Sequence, residues 1–151
     1  MQLKISINIP KTIPLLNAFN GAELGVVGAI DEMENRLKTI GLLETPIGAT
    51  GGLRQNFHSE RPTAKSIKFI WDSLYAAAAN EGTRPHWTPI SNLRSWAGKK
   101  GINVFALWRH IGNEGTLASR FRERAQVAME ITANKIWGTR ISMLTRYLRG
   151  D

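Results

Sequence analysis

The sequence predicts an α+β fold. Two stretches of chain alternate apolar and polar residues with period two, and two longer stretches carry apolar residues at helical spacing. The length of 151 residues, with 42% hydrophobic residues, suits one domain with or without an added arm and allows a sizeable core. The absence of cysteine excludes disulfides, Cys–zinc sites and thiol catalysis. No apolar run is long enough for a membrane span, and we expect no export signal.

The first strand and the first helix are predicted near the N-terminus. Residues 3–9 alternate in hydropathy, which predicts a strand with one buried face that ends at Pro10. Thr12 is a candidate N-cap for a long amphipathic helix, whose apolar residues recur at roughly helical spacing as far as Ile40. We expect this helix to end near Gly41, because glycine favours the position that follows a helix.

The middle of the chain is predicted to contain a long connection and a second strand. Residues 42–63 are rich in Gly, Pro and Thr, which indicates a loop that is either mobile or functional. Residues 66–71 alternate again as a strand. The run from Leu74 to Asn80 is ambiguous, since its four alanines favour helix. A turn at Gly82 and a proline-bounded loop follow.

Three helices are predicted in the C-terminal half. Short helices are expected over Ser91–Lys99 and Asn103–His110, each beginning at a candidate cap residue. A long apolar stripe predicts the last helix from about Thr116 to Arg149. We expect this helix to pack across the sheet and to project towards a neighbouring molecule.

The charge of the chain is uneven. Residues 1–83 hold 8 Lys/Arg and 8 Asp/Glu, whereas residues 84–151 hold 12 and 4, so the whole net charge of +8 lies in the second part. Such asymmetry is typical of a protein with a polyanionic or acidic partner, either nucleic acid or a complementary protein surface. Solubility alone is the alternative explanation.

The residues that usually carry enzyme chemistry do not form a recognisable pattern. His58, His86 and His110 lack the spacing of metal ligands or of a general base with its partner. The serines lack the Gly-x-Ser-x-Gly pattern. The turns Thr50-Gly51-Gly52 and Glu81-Gly82-Thr83 match neither the Walker nor the dinucleotide-binding spacing. We therefore expect no enzyme activity, no metal site and no cofactor.

Residues 91–110 are also compatible with a helix-turn-helix that binds DNA. Four basic residues are available for phosphates, namely Arg94, Lys99, Lys100 and Arg109. Any two amphipathic helices joined at a glycine have this pattern, however, and Trp96, Leu107 and Trp108 are expected to anchor them on the core.

Arg120, Arg122 and Arg124 are predicted on the first turns of the last helix. Helix N-termini disfavour cations, so these arginines need compensating partners. Acidic residues of an adjacent subunit or DNA phosphates would serve.

Three short segments carry a resemblance. The first is Pro46 followed by Thr50–Arg54, the second is Tyr75-Ala76 followed by Gly82–Trp87, and the third is Gly115-Thr116 followed by Phe121 and Ala125. In this order they resemble the tail-completion or head–tail joining proteins of long-tailed bacteriophages. The corresponding patterns of that family are Pro-x-x-Thr-Gly-x-Leu-Arg, Tyr-Ala…Gly-Thr-(basic)-Pro-His and Gly-Thr…Pro-Phe…Pro-Ala.

The chain departs from the family pattern at a few positions. One extra residue separates Pro46 from Thr50, and Asn80 stands where the family usually has Glu. Arg120 and Arg124 stand where prolines are common. The resemblance covers residues 3–125, so the predicted organisation is an α+β domain over 1–125. The remaining residues, 126–151, would be a helical extension packed on that domain or projecting from it.

The resemblance implies both a fold and a function. The expected fold is a small sheet, antiparallel or mixed, crossed by the long N-terminal helix, with short helices and a long C-terminal helix. The expected function is that of a non-enzymatic virion protein in the neck, assembled in the host cytoplasm into a ring, typically a hexamer. Its partners would be further copies of itself, the tail tube protein and the head connector or head-completion proteins. Its basic residues would contact DNA in the lumen without reading sequence, or would pair between subunits. No membrane partner is expected.

Two loops are the predicted docking elements of such a ring protein. On this reading the connection 42–63 becomes ordered only against a neighbour. Arg120, Arg122 and Arg124 are predicted subunit-interface or phosphate contacts. The docking residues are Thr50, Gly51, Leu53 and Arg54 in the first loop and Gly82, Thr83, Arg84, Pro85, His86 and Trp87 in the second. Turn formation and local packing are the alternative roles of these residues.

Overall fold

The computed structural model describes residues 2–8, 22–48, 50–63 and 66–149. They form an α+β fold, as the sequence predicts. The elements in chain order are β1 (Leu3–Asn8), α1 (Ala22–Glu44), α2 (Gly52–Gln55), β2 (Phe57–Thr63), β3 (Ser66–Trp71), α3 (Ala76–Glu81), α4 (Ile90–Lys100), α5 (Val104–Glu114) and α6 (Phe121–Arg149).

The three strands form an antiparallel sheet in the order β1-β3-β2. Leu3 of β1 and Phe57 of β2 both lie opposite Trp71 of the central strand. Alternate residues of β1 are buried, which confirms the predicted strand and its buried face. The predicted end of this strand at Ile9 and Pro10 lies outside the described residues.

The core lies between the sheet and the two long helices. Met33 and Leu37 of α1 are fully buried in it. The ring of Trp71, also fully buried, lies 4.6 Å from the ring of Phe57 and meets Phe121 edge-on at 5.4 Å. The α6 helix contributes one buried residue per turn, namely Phe121, Ala125, Met129, Ala133 and Trp137. The predicted extension therefore begins inside a continuous helix that packs against the core.

The prediction that the first helix ends at Gly41 is wrong, because α1 continues to Glu44. Gly41 lies inside the helix, where a Cβ would overlap the ring of Phe57 and lie 2.7 Å from the Met129 methyl group. The missing side chain allows α1 to approach both β2 and α6 closely. The predicted start of the helix at Thr12 lies outside the described residues.

The prediction of a long loop over residues 42–63 is also wrong. The segment contains the end of α1, the short helix α2 and the strand β2. Only Phe57 of β2 is buried, and Pro62 lies where the pairing with β3 shifts register. The β2 strand lies at the edge of the sheet, so its backbone pairs on one side only. Its sequence lacks the alternation of apolar and polar residues by which a strand is predicted.

The helices of the C-terminal half differ from prediction mainly at their ends. The α4 helix begins at Ile90, so Pro89 and not Ser91 occupies the N-cap position. Asn103 caps α5 as predicted, since its Oδ1 accepts hydrogen bonds from the backbone N–H groups of residues 105 and 106. The ambiguous alanine run forms α3. Among the described residues, no helix is both long and apolar enough to cross a membrane.

A buried hydroxyl group connects the end of α1 to the central strand. The indole Nε1 of Trp71 donates to Oγ1 of Thr45 over 2.7 Å, and this hydroxyl donates to the carbonyl of Gly41 over 2.5 Å. Both Trp71 and Thr45 are fully buried. Replacing the hydroxyl would leave the indole N–H without its acceptor in the core.

We expect Thr45→Val to lower the free energy of unfolding by about 1–3 kcal/mol, because the buried indole N–H loses its partner. Denaturant unfolding measures this change. Thr139→Val is the matched control, since Thr139 also donates to the carbonyl four residues earlier but is exposed. Its effect should stay within about 0.5 kcal/mol. Equal effects of the two substitutions would contradict the role assigned to Thr45.

Candidate functional site

Two Gly-Thr turns from distant parts of the chain pair with each other. Thr83 follows α3 and Thr116 follows α5, and each donates its backbone N–H to the carbonyl of the other over 3.1 Å. Their hydroxyl groups lie 3.0 Å apart. We call this pair the threonine bridge. It fixes the loop that was predicted as the second docking element against the segment that leads into α6.

The glycines beside the threonine bridge are required by its geometry. Gly82 and Gly115 have φ angles of 77° and 81°, in the left-handed region that side chains disfavour. A Cβ at Gly115 would overlap the carbonyl oxygen of Thr83, and one at Gly82 would overlap that of Thr116. The two Gly-Thr pairs are therefore complementary halves of one contact.

The prediction that the last helix begins near Thr116 is wrong, because this residue takes part in the threonine bridge and α6 begins at Phe121.

A pair of tryptophans connects the loop that contains Thr83 to α5. The rings of Trp87 and Trp108 lie 4.4 Å apart, and Trp108 Nε1 donates to the carbonyl of Thr88 over 2.8 Å. Gly112 of α5 lies directly under the Trp87 ring, and a Cβ there would overlap it. The backbone N–H of His86 donates to the carbonyl of Ile111. The loop is thus held by α5, while Trp87 remains 58% exposed.

An apolar groove of about 480 Å³ lies between α4, α5 and the segment after the threonine bridge. Leu117 forms one edge of it and is 89% exposed. Trp96 and Leu107 line this groove rather than the core, and Trp108 packs on Trp87, so the prediction that these three anchor the helices on the core is wrong. An exposed leucine beside an open apolar groove is typical of an interaction surface.

The predicted first docking loop forms the turn that begins α2. Gly51 has a φ angle of 70°, Leu53 is buried in the core, and Arg54 Nε donates to the carbonyl of Thr45 over 2.9 Å. Thr50 is exposed. A Cβ at Gly52 would lie 3.0 Å from the Tyr75 hydroxyl, so this turn lies against the start of α3. Leu53 and Arg54 therefore hold the loop in place, and the exposed Thr50 accepts a hydrogen bond from the backbone N–H of Gly52 over 3.4 Å.

Two of the three predicted contact arginines have acidic partners in the same chain. Arg122 pairs with Glu123 at 3.0 Å, and Arg124 pairs with Glu44 of α1 at 2.9 Å. The side chain of Arg120 is exposed, and its backbone has a φ angle of 48°. These acidic groups compensate the cations at the start of α6, where the helix dipole disfavours them.

The start of α6 is capped by a residue that sequence reasoning did not assign. Asn80 of α3 is buried, its Oδ1 accepts from the backbone N–H of Arg122, and its Nδ2 donates to the Glu123 carboxylate. Burial raises the pKa of Glu123, but hydrogen bonds from the backbone, Asn80 and Arg122 outweigh it, so the pKa lies below 4.5. No local signal reveals this cap, because its residue lies some forty positions from the helix start.

The acidic and basic parts of the chain also meet between α1 and α6. Glu32 of α1 pairs with Arg140 of α6 and with Arg36, both at 2.6 Å. The hydrogen bond from Arg140, together with the charge of Arg36, holds the pKa of Glu32 below its ordinary value of 4.5. Part of the charge asymmetry seen in the sequence therefore serves packing within the molecule.

Two of the three histidines lie near a carboxylate. His58 lies 3.7 Å from Glu60, and His110 lies 3.5 Å from Glu114, both at the surface. Within residues 2–8, 22–48, 50–63 and 66–149, no group of three His, Asp or Glu side chains is placed to hold a metal ion.

Comparison of the chain with protein-family models, curated proteins and solved structures finds no match.

The glycine of the threonine bridge can be tested against a glycine in open space. We expect Gly115→Ala to lower the free energy of unfolding by about 1–3 kcal/mol, because alanine brings both a left-handed φ and an overlap with Thr83. Gly98→Ala in α4, where no atom lies within 4 Å of the added Cβ, should raise it by about 0.5–1 kcal/mol. Urea titration measures both. Destabilisation by both substitutions to the same extent would argue against the bridge.

The ion pair between α1 and α6 predicts an acid-sensitive stability. Since the pKa of Glu32 is lower in the folded chain, its contribution is present above pH 4.5 and is lost as the pH falls through the lowered value. We expect Glu32→Gln to reduce the loss of thermal stability between pH 7 and pH 3. Arg140→Gln should reduce it similarly, and the double substitution should add little. Fully additive effects would show that the two residues act separately.

Proposed function

We propose that this chain is a non-enzymatic virion structural protein of a long-tailed bacteriophage. In this proposal it is a tail-completion or tail-terminator component of the neck, which forms a ring and joins the tail tube to the head connector. The observation that carries the proposal is that the three segments of the sequence resemblance contact one another. The threonine bridge joins the second to the third, and Gly52 lies against Tyr75, which joins the first to the second.

The surface around these contacts suits docking to another protein. Trp87 and Leu117 are large, apolar and mainly exposed, and both are attached to backbone that the threonine bridge and α5 hold in place. A fixed aromatic or apolar anchor loses little conformational entropy when it binds. The adjacent groove offers a place for a complementary side chain of the tail tube or of the next subunit.

The charge of this part of the chain suits an acidic or polyanionic neighbour. Residues 84–118 contain five Lys/Arg (Arg84, Arg94, Lys99, Lys100 and Arg109) and one acidic residue, Glu114. In a ring around a DNA channel such residues would attract phosphates without reading bases. The same charges would alternatively pair with acidic groups of the next subunit.

A DNA-binding regulator is the second candidate, and one observation favours it. The α4 and α5 helices are separated by only three residues, and α5 exposes Phe105 and Arg109. In a helix-turn-helix the second helix enters the major groove and reads base edges. This candidate requires tight binding to a defined short duplex that weakens steeply with salt, whereas a neck protein would bind DNA weakly and without sequence preference.

The proposal predicts assembly that depends on Leu117. We expect light scattering to give a ring near six subunits, or a monomer that enters a large complex only with the tail tube protein of the same phage. Leu117→Asp should weaken complex formation at least tenfold, because a charge then replaces an apolar anchor. Leu43→Asp is the matched control, since Leu43 is similarly exposed but lies on α1, and it should leave assembly unchanged.

The outcomes separate the two candidates. A stable dimer that ignores the tube protein and binds one short duplex tightly would favour the DNA-binding regulator. Equal loss of assembly with the Leu117 and Leu43 variants would argue against the proposed docking surface. Circular dichroism of both variants shows whether either substitution unfolds the chain.

A further inference from the structure

The α6 helix carries a stripe of exposed residues on the side away from the core, and its three largest members are apolar. Its members follow one another at spacings of four, three, four, three and four residues, and all of them are exposed. The three largest, Val127, Ile131 and Ile141, are 58%, 63% and 45% exposed. The other members are Asn134, Gly138 and Thr145. The buried residues of α6, from Phe121 to Trp137, face the core of the chain, whereas this stripe faces solvent.

Alternating three- and four-residue spacing is that of the seam in a two-stranded coiled coil. Val and Ile are poor helix formers, and at exposed positions of an isolated helix they gain no packing that offsets this cost. Packed against a second helix, they become favourable. Gly138 would allow close approach of the partner backbone.

The charges beside this stripe are complementary to themselves. Glu130 lies on one flank and Lys135 on the other, five residues further along the helix. In two parallel helices in register, these are the positions that meet across the seam. Two-fold symmetry would then produce two Glu130–Lys135 pairs. Glu130 accepts a hydrogen bond from Gln126 at 2.9 Å, and neither Glu130 nor Lys135 forms an ion pair with another described residue.

We propose that α6 pairs along this stripe with α6 of a second copy of the chain, parallel and in register. The partner is a second copy rather than another protein because both the seam and its flanking charges are self-complementary. This pairing uses a different surface from the groove beside Leu117. It does not depend on the proposed function.

Single cysteines test the pairing directly, since the chain has none of its own. In a parallel pair in register, each residue of the seam lies beside its own copy. Val127→Cys and Ile141→Cys should therefore each give a disulfide-linked dimer under mild oxidation when present alone. Thr139→Cys, exposed on the same helix but off the stripe, should give little. Cross-linking of Val127→Cys only to Ile141→Cys, in a mixture, would mean an antiparallel pair and overturn the proposal.

A second measurement compares association constants. Sedimentation equilibrium of Ile131→Lys should show a dissociation constant at least tenfold higher than that of the parent chain. Met143→Lys, an exposed apolar residue of α6 outside the stripe, should show no such change. Glu130→Lys should weaken pairing several-fold, and Glu130→Lys with Lys135→Glu should restore it. A chain that stays monomeric at high concentration, or pairs equally well with Ile131→Lys, would refute the pairing. Because the pairing uses a different surface from the groove beside Leu117, the Ile131→Lys variant should still form the ring of the neck proposal.

Discussion

The buried hydrogen bond between Trp71 and Thr45 connects three parts of the fold. Among the described residues the indole is the largest fully buried side chain, and an unpaired N–H group there would cost free energy. Thr45 supplies the acceptor at the end of α1 and also offers its carbonyl to Arg54. One residue therefore fixes the central strand, the first long helix and the turn before α2. Phe121, edge-on to the same indole, places the start of α6.

Residues 82–118, which carry α4 and α5, are positioned by polar contacts rather than by the main core. The threonine bridge joins the loop after α3 to the segment after α5, and Asn80 caps α6 from α3. Because these contacts fix the backbone, the exposed side chains of Trp87 and Leu117 are presented on a defined surface. The α4–α5 pair thus presents its surface without contributing the residues that hold the sheet together.

Electrostatics connects the two halves of the sequence. The excess of positive charge in residues 84–151 suggests an external partner, but Glu32 and Glu44 of α1 neutralise two arginines of α6. The basic residues of α4 and α5 do not take part in these two pairs. The net charge counted from a sequence therefore overstates the number of basic side chains that can bind a partner, because some of them form ion pairs within the fold.

The sequence by itself was sufficient to predict the helices and strands that bury one face along most of their length. The alternation of β1 and β3, the stripe of α6 and the Asn103 cap are local patterns, and each was predicted close to its final position. Of the candidate site, the turns themselves were visible as Gly-Thr pairs. Their pairing was not visible, because it joins residues 83 and 116.

Only the tertiary structure decided the features that rest on contacts between distant residues. The edge strand β2 carries a single buried residue and forms because β3 is there to accept it. Gly41 read locally as the end of a helix, but close packing against Phe57 places it inside one. Asn80 caps a helix that begins far along the chain. A local pattern records which face of an element is buried, whereas the partner that buries it exists only once the chain has folded.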